Sequence, residues 1–365
     1  MNIAIFSPNN NTYSETFIQA HKELLKGNIY YYHGQFPNLE LNQKSLVNNS
    51  SRIWFLRVYR KLTRKSFSYL YNQVIVRSLK RNKIDVVLVE YGSYAYQLIS
   101  VLKLVKIPFV VHFHGFDASV KSVIASCGNY SEVFMHAEKI IVVSKVMLQA
   151  LINLGCPENK LVYTPCGPQG EFYEVNPKFF KKQFVSVGRF TDKKAPYYTI
   201  LAFKKVLEKH PDATMVMAGE GMLFNVCKNL VKLLSLENNV KLVGVITSDQ
   251  FRKLLEESLA FVQHSITADN GDMEGTPVTI LEASASGLPI ISTYHGGISD
   301  VIQHTATGLL SKEHDVDQMS NNMIMLLEDM DYAKGLGLAG KKRIKAHFSL
   351  EKHISILQET LESVQ

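Results

Sequence analysis

Glu274 and Glu282 stand eight residues apart in EGTPVTILEASASG, residues 274–287. The stretch reads as a turn, a helix start, a helix and a helix stop. Thr276 is expected to cap the helix through its hydroxyl. Pro277 suits the first helical position, where a missing N–H costs nothing. Gly287 fits a left-handed stop, and Pro289 follows it. The amides around Gly275, Thr276, Val278 and Thr279 would then point out of the helix start. With the helix dipole they make a place for an anion such as a diphosphate. Glu274 sits just before that place and Glu282 further along the same helix. Carboxylates beside phosphates call for another ligand, and sugar hydroxyls are the obvious one.

Other loops carry complementary chemistry. GRFTDKK offers Arg189, Lys193 and Lys194; Arg189 could grip a diphosphate bidentately and Lys194 as a point charge. AGEG, residues 218–221, is a tight turn that lets a ligand approach the backbone at Gly219 and Glu220. YHGG adds His295 and two glycines, and HFHGFD places His112, His114 and Asp117 at the end of an apolar run. Ser14, Glu15 and Thr16 either cap a first helix or face a ligand from the first strand-to-helix loop. A single Arg or Lys is by default a surface charge. Sharing a sheet edge with an anion-binding helix start favours a site.

The elements that must position these residues alternate as strand and helix. Residues 2–7, 85–90, 108–112, 139–144 and 160–163 are short apolar runs, typical of parallel strands covered on both faces. Helices are expected over 14–25, 95–105 and 145–154. Residues 165–178, rich in Pro and Gly, read as a linker. Alternation then restarts, with strands at 184–187, 214–218, 240–243, 259–264, 289–292 and 308–310. Helices come between them, and a helical tail runs from about residue 332. In a parallel sheet the loops carrying Arg189, Gly219, Glu274 and His295 share one edge. The reading is α/β: two Rossmann-like, doubly wound domains.

The 365 residues, 46% hydrophobic and 20% charged, suit two globular domains. The formal charge of +7 fits anionic ligands or an anionic surface. Cys127, Cys156, Cys166 and Cys227 form no CxxC pair, so free thiols in a reducing compartment are expected. No secretory signal or spanning apolar run is seen, which predicts a cytoplasmic protein. Between Glu40 and Asp85 there is no acidic residue. There Arg52–Lys65 interleaves basic with aromatic and aliphatic residues. That is either a core helix with a solvated basic face or an amphipathic helix on the inner face of the cell membrane. No nucleic-acid motif accompanies it, so no nucleic-acid partner is expected.

Taken together, EGTPVTILEASASGLPII, GRF…KK, AGEG, HGG and HFHG resemble the family 4 glycosyltransferases. The likeness covers nearly all of the second half and parts of the first. It implies the GT-B architecture: an acceptor-binding domain over residues 1–167 and a donor-binding domain over 179–338, facing a cleft. Residues 339–365 would form a helix packing back on the first domain. It implies that Arg189 and Lys194 neutralise the leaving diphosphate of a nucleotide-sugar. Glu282 would bind the ribose, Glu274 the transferred sugar, and Gly275, Thr276, Pro277 and Val278 the donor. Gly219, Glu220 and Val245 would line the base, and His114, rather than His112, would stand beside the reacting sugar. Ser14, Glu15 and Thr16 would face a saccharide or lipid-linked saccharide acceptor. Asp300 and Ala195 replace a glutamate and a glycine common in the family. The opening SETF resembles the variant seen in enzymes that build surface polysaccharides.

The resemblance also implies transfer with retention. No cofactor or metal is expected; the D-x-D Asp329 to Asp331 reads as a surface turn away from the site. The competing readings are a nucleotide-sugar epimerase or phosphorylase on the same fold, or a non-catalytic nucleotide-sugar-binding protein.

Overall fold

A computed structural model describes residues 1–10, 15–35, 38–46, 58 and 67–365. Ser14 and, except for Val58, the basic segment Arg52–Lys65 lie outside the described residues. The chain divides into two compact units, each with its own sheet. The first comprises residues 1–143, 148–164 and 354–365, and the second residues 144–147 and 165–353.

The first sheet holds β1 (Asn2–Ser7), β2 (Asn28–His33), β3 (Glu40–Leu41), β4 (Lys44–Ser45), β5 (Val86–Glu90), β6 (Phe109–His112), β7 (Lys139–Val142) and β8 (Leu161–Tyr163). Their order is β4-β3-β2-β1-β5-β6-β7-β8. Ile3, Ala4, Ile5, Val86, Val87 and Leu88 are fully buried, because helices cover both faces of a parallel sheet. The sheet is not wholly parallel: β2, β3 and β4 pair antiparallel at one edge. That edge was not expected from the sequence. NIYYYH lacks an aliphatic run, and two-residue strands leave no periodicity to read.

The second sheet holds β9 (Gln183–Val187), β10 (Thr214–Ala218), β11 (Val240–Leu242), β12 (Ala260–Val262), β13 (Ile290–Thr293) and β14 (Gly308–Ser311). Its order, β11-β10-β9-β12-β13-β14, is entirely parallel. The chain winds outward from β9 in one direction and from β12 in the other, the doubly wound order with its switch point between those two strands. Phe184, Phe203, Met215, Leu259, Ile291 and Met323 belong to the core on which this sheet rests.

Two helices close the chain, Met330–His347 and Leu350–Ser363. Residues 339–353 cluster with the second unit and only 354–365 with the first. In that last segment Gln358 Oε1 accepts from the Lys26 amide at 2.9 Å. Both D-x-D triplets of the sequence cap helices: Asp329 accepts from the Tyr332 amide at 2.8 Å, and Asp315 of Asp315–Asp317 from the Gln318 amide at 2.9 Å. None of the described helices is long and apolar enough to cross a membrane. All four cysteines are buried free thiols.

Candidate functional site

The structure holds the expected residues in two constellations, one at the C-terminal edge of each sheet. In the second unit the switch point lies between the loops after β9 and β12, and these carry the charged groups. Lys194 Nζ meets Glu274 Oε1 at 2.8 Å and lies 3.3 Å from Gln263 Oε1. Burial alone would push Glu274 up, but Lys194, Lys193 and the hydrogen bond hold it at about 2. Burial lowers Lys194, and Glu274 opposes that shift. The pair therefore stays ionised in a poorly solvated place. Lys193 is spent differently: it bridges Asp272 at 2.9 Å and the Met273 carbonyl at 3.2 Å, pinning the loop that ends in Glu274. Arg189 is exposed, a cation left at the same edge.

The helix Val278–Ser286 begins where this loop ends. Pro277 occupies the N-cap, not the first helical position, and no side chain caps the helix. The correction is one residue, and its cause is the proline. Its carbonyl already accepts from Ile280 at 3.1 Å and Leu281 at 3.3 Å, so helical pairing starts from Pro277 itself. Thr276 is therefore displaced from the cap. Gly287 does take the left-handed stop, with φ 92°. Glu282 is buried, and its carboxylate has no hydrogen-bond partner among the described residues. Burial, then the nearby Glu171, raises its carboxyl to about 8.

Backbone stacking packs the remaining loops. A Cβ on Gly219 would lie 2.0 Å from the Gly188 carbonyl oxygen, and one on Gly297 would lie 1.8 Å from that of Gly275. Phe190 donates to the Glu220 carbonyl at 2.9 Å, and Gly219 to that of Gly244 at 2.7 Å. Glu220 and Val245 stay exposed beside them. Arg189, Lys194, Gly219, Glu220, Val245, Gly275 to Val278 and Glu282 thus all belong to the second unit.

In the first unit, Glu90 closes β5 fully buried. Its carboxylate meets His21 Nδ1 at 2.7 Å and His114 Nε2 at 3.1 Å, with His112 Nδ1 3.8 Å away. Burial would raise Glu90, yet the three histidines hold it well below the carboxylate range. His114 lies against Phe17 and Tyr91, with ring centroids at 4.6 and 4.3 Å. Its backbone amide donates to Asp117, which burial lifts to about 6 against the pull of His114. Glu15 accepts from Tyr91 and Asn9, both at 2.7 Å, and Thr16 opens the helix Thr16–Leu24. Glu90, His112 and His114 are close enough to ligate one ion, but Glu90 already holds His21 and His114.

A sequence model of the glycosyl transferases group 1 matches residues 173–343, and one of Glycosyltransferase Family 4 matches residues 49–168. This chain belongs to the family 4 glycosyltransferases. It is similar to the amylovoran biosynthesis glycosyltransferase AmsK of Erwinia amylovora. The two are 29% identical over 305 residues, which is 82% of this chain and 75% of that one. It is also similar to the putative colanic acid biosynthesis glycosyltransferase WcaL of Escherichia coli, 27% identical over 58% of this chain and 53% of the relative. The match thus spans about half of that relative's length. Among solved structures, Anabaena Alr3699/HepE in complex with UDP and glucose superimposes over the full length of both chains with a TM-score of 0.79 at 16% identity. Sucrose-phosphate synthase from Thermosynechococcus elongatus does so over 99% of this transferase with a TM-score of 0.71. At such identities the likeness establishes the fold, GT-B.

Three residues of this transferase's sites carried no sequence signal of their own role. Glu90 looked like the polar end of the strand DVVLVE; a carboxylate closing a fully apolar run at a sheet's C-terminal edge is the clue. Glu313 sits in an ordinary charged turn. His295 stood out only through its glycines.

Proposed function

We propose that this chain moves a sugar from a nucleoside-diphosphate sugar to a saccharide or lipid-linked saccharide, with retention and without a metal, in the building of surface polysaccharide. The observation that carries this is the buried Lys194–Glu274 pair beside exposed Arg189, at the switch point and against the start of the helix Val278–Ser286. The bond from C1 of the sugar to the β-phosphate oxygen breaks, and charge gathers on the departing diphosphate. Arg189, Lys194 and the amides at the start of the helix Val278–Ser286 are preorganised to receive that charge, the role a metal would otherwise fill. A new bond forms from the acceptor oxygen to C1 on the same face. The acceptor's proton passes to the departing phosphate oxygen, so no protein base is required. Glu274, kept ionised by Lys194, suits the hydroxyls of the transferred sugar; Glu282, buried and unpaired, suits those of the ribose. His114 is assigned to the reacting sugar, with Glu15 and Thr16 on the acceptor side.

The names of similar proteins support the class. AmsK and WcaL are polysaccharide glycosyltransferases, and HepE has been solved with UDP-glucose. The basic segment Arg52–Lys65 would rest on an anionic membrane surface; reversing several of its charges should then abolish binding to anionic vesicles.

Thermal shift against UDP- and GDP-sugars identifies the donor, since a ligand of the folded state raises its stability by mass action. NMR of the product then reads its anomeric configuration. An inverted product would refute same-face attack, and turnover that stops with EDTA would refute metal independence. Dependence on free phosphate would indicate a phosphorylase, and turnover without an acceptor an epimerase.

A further inference from the structure

The loop after β12 holds the Glu274 turn, and it is secured at more points than its length requires. Glu313, just beyond β14, accepts from the Thr267 amide at 2.9 Å and the Thr267 hydroxyl at 3.3 Å. The same carboxylate meets His295 Nδ1 at 2.6 Å. His295 Nε2 in turn lies 3.0 Å from the Glu274 backbone nitrogen. An amide can only donate, so Nε2 must accept and Nδ1 must carry the proton given to Glu313. Thr267, His295 and Glu313 thus join the loops after three adjacent strands, β12, β13 and β14, and end on the backbone of Glu274. Gly296 and Gly297 press against the same turn. A Cβ on Gly296 would lie 2.3 Å from the Glu274 carbonyl oxygen. His295 is 2% exposed, so water cannot readily replace it.

We infer that His295 and Glu313 are positioning residues for the transfer reaction. Glu313 fixes the tautomer and angle of His295, and His295 fixes the Glu274 amide. The Glu274 carboxylate is thereby aimed into the site rather than at its own loop. The inference rests on the proposed glycosyl transfer for its catalytic consequence, but not for its structural one. It predicts a division of effects. The clamp orients Glu274, which is assigned to the reacting sugar, whereas the nucleotide is assigned to Glu282, inside the following helix, and to Gly219 and Val245 on other loops. Losing the clamp should therefore slow the chemical step and spare nucleotide binding.

The test uses the full chain and two readouts. Without ligand, hydrogen exchange in the segment containing the Glu274 amide should accelerate at least ~10-fold in His295→Ala, the scale of a lost buried hydrogen bond. His295→Gln, whose side-chain oxygen can accept the same amide, should restore part of the protection. With the donor found by thermal shift, kcat should fall at least ~10-fold in His295→Ala, as small misplacements do. The dissociation constant of UDP or GDP, whichever binds the wild type, should stay within about twofold. Glu313→Gln should show a weaker form of the same pattern, and it decides the matter should His295→Ala fail to fold. Wild-type exchange rates in these variants would overturn the inference. So would an unchanged kcat, or a parallel loss of kcat and nucleotide affinity. If the wild type transfers no sugar at all, the proposed function fails, and the exchange result alone still judges the clamp.

Discussion

Lys194 and Glu274 are each at most about one-eighth exposed, with side chains at 13% and 7%, so neither charge can be removed without stranding the other. Lys194→Met should cost about 3–5 kcal/mol in denaturant unfolding, the usual penalty for an orphaned buried charge. Lys194→Met with Glu274→Gln should lose less than the sum of the two single changes. A strictly additive cycle would show that the pair is not coupled. Glu282 makes the opposite kind of prediction. Its folded value of about 8 lies above the ordinary carboxylate range, so the folded chain holds a proton that the unfolded chain releases. Its destabilising effect is absent below about pH 4, grows as pH rises, and levels off above about pH 8. Glu282→Gln should therefore melt at nearly the wild-type temperature at pH 4.5 and several degrees above it at pH 8. A gap that does not widen with pH would contradict the assignment.

At the scale of elements, backbone packing decides what the loops can tolerate. Gly219 has φ 130° and no room for a Cβ, whereas Gly335 lies in the helix Met330–His347 with nothing within 4 Å of its Cβ direction. Gly219→Ala should destabilise the protein and weaken nucleotide binding, because the loops after β9 and β10 must separate. Gly335→Ala should stabilise it by about 1 kcal/mol through helix propensity. Paired denaturant titrations check both, and equal effects would contradict the packing. The legibility of elements followed the same physics. Buried parallel strands such as FVVH and KIIV announce themselves through continuous apolar runs, and helices such as Ser248–Glu257 through a capping box and the apolar spacing of Phe251 and Leu255. β2, with three tyrosines, and the two-residue strands β3 and β4 do not. The helix start at Thr276–Pro277 lies one residue later than its sequence suggests, because the Pro277 carbonyl already accepts the first helical amides. Single residues such as Arg189, Lys194 and Glu274 were readable because their loops fall at one edge of a parallel sheet. Glu90 and Glu313 were not, because their partners lie 18 to 69 residues away in sequence.

At the scale of the molecule, the chain forms two units with separate sheets, and the proposal places every donor-binding residue in the second. A nucleoside diphosphate without its sugar should slow hydrogen exchange mainly within residues 183–313, at the loops after β9, β10, β12 and β13; protection confined to the first unit would contradict the assignment. The central claim is that charge on a departing diphosphate is met by this chain's own cations. Arg189 tests it most directly, because it is exposed and its removal should leave folding intact. The measurement is the rate of nucleoside diphosphate release from the donor sugar by the wild type and by Arg189→Ala. The account predicts a fall of roughly 100-fold or more with an unchanged melting temperature, the scale of losing one preorganised charge-stabilising group. Release at the wild-type rate by Arg189→Ala would contradict it.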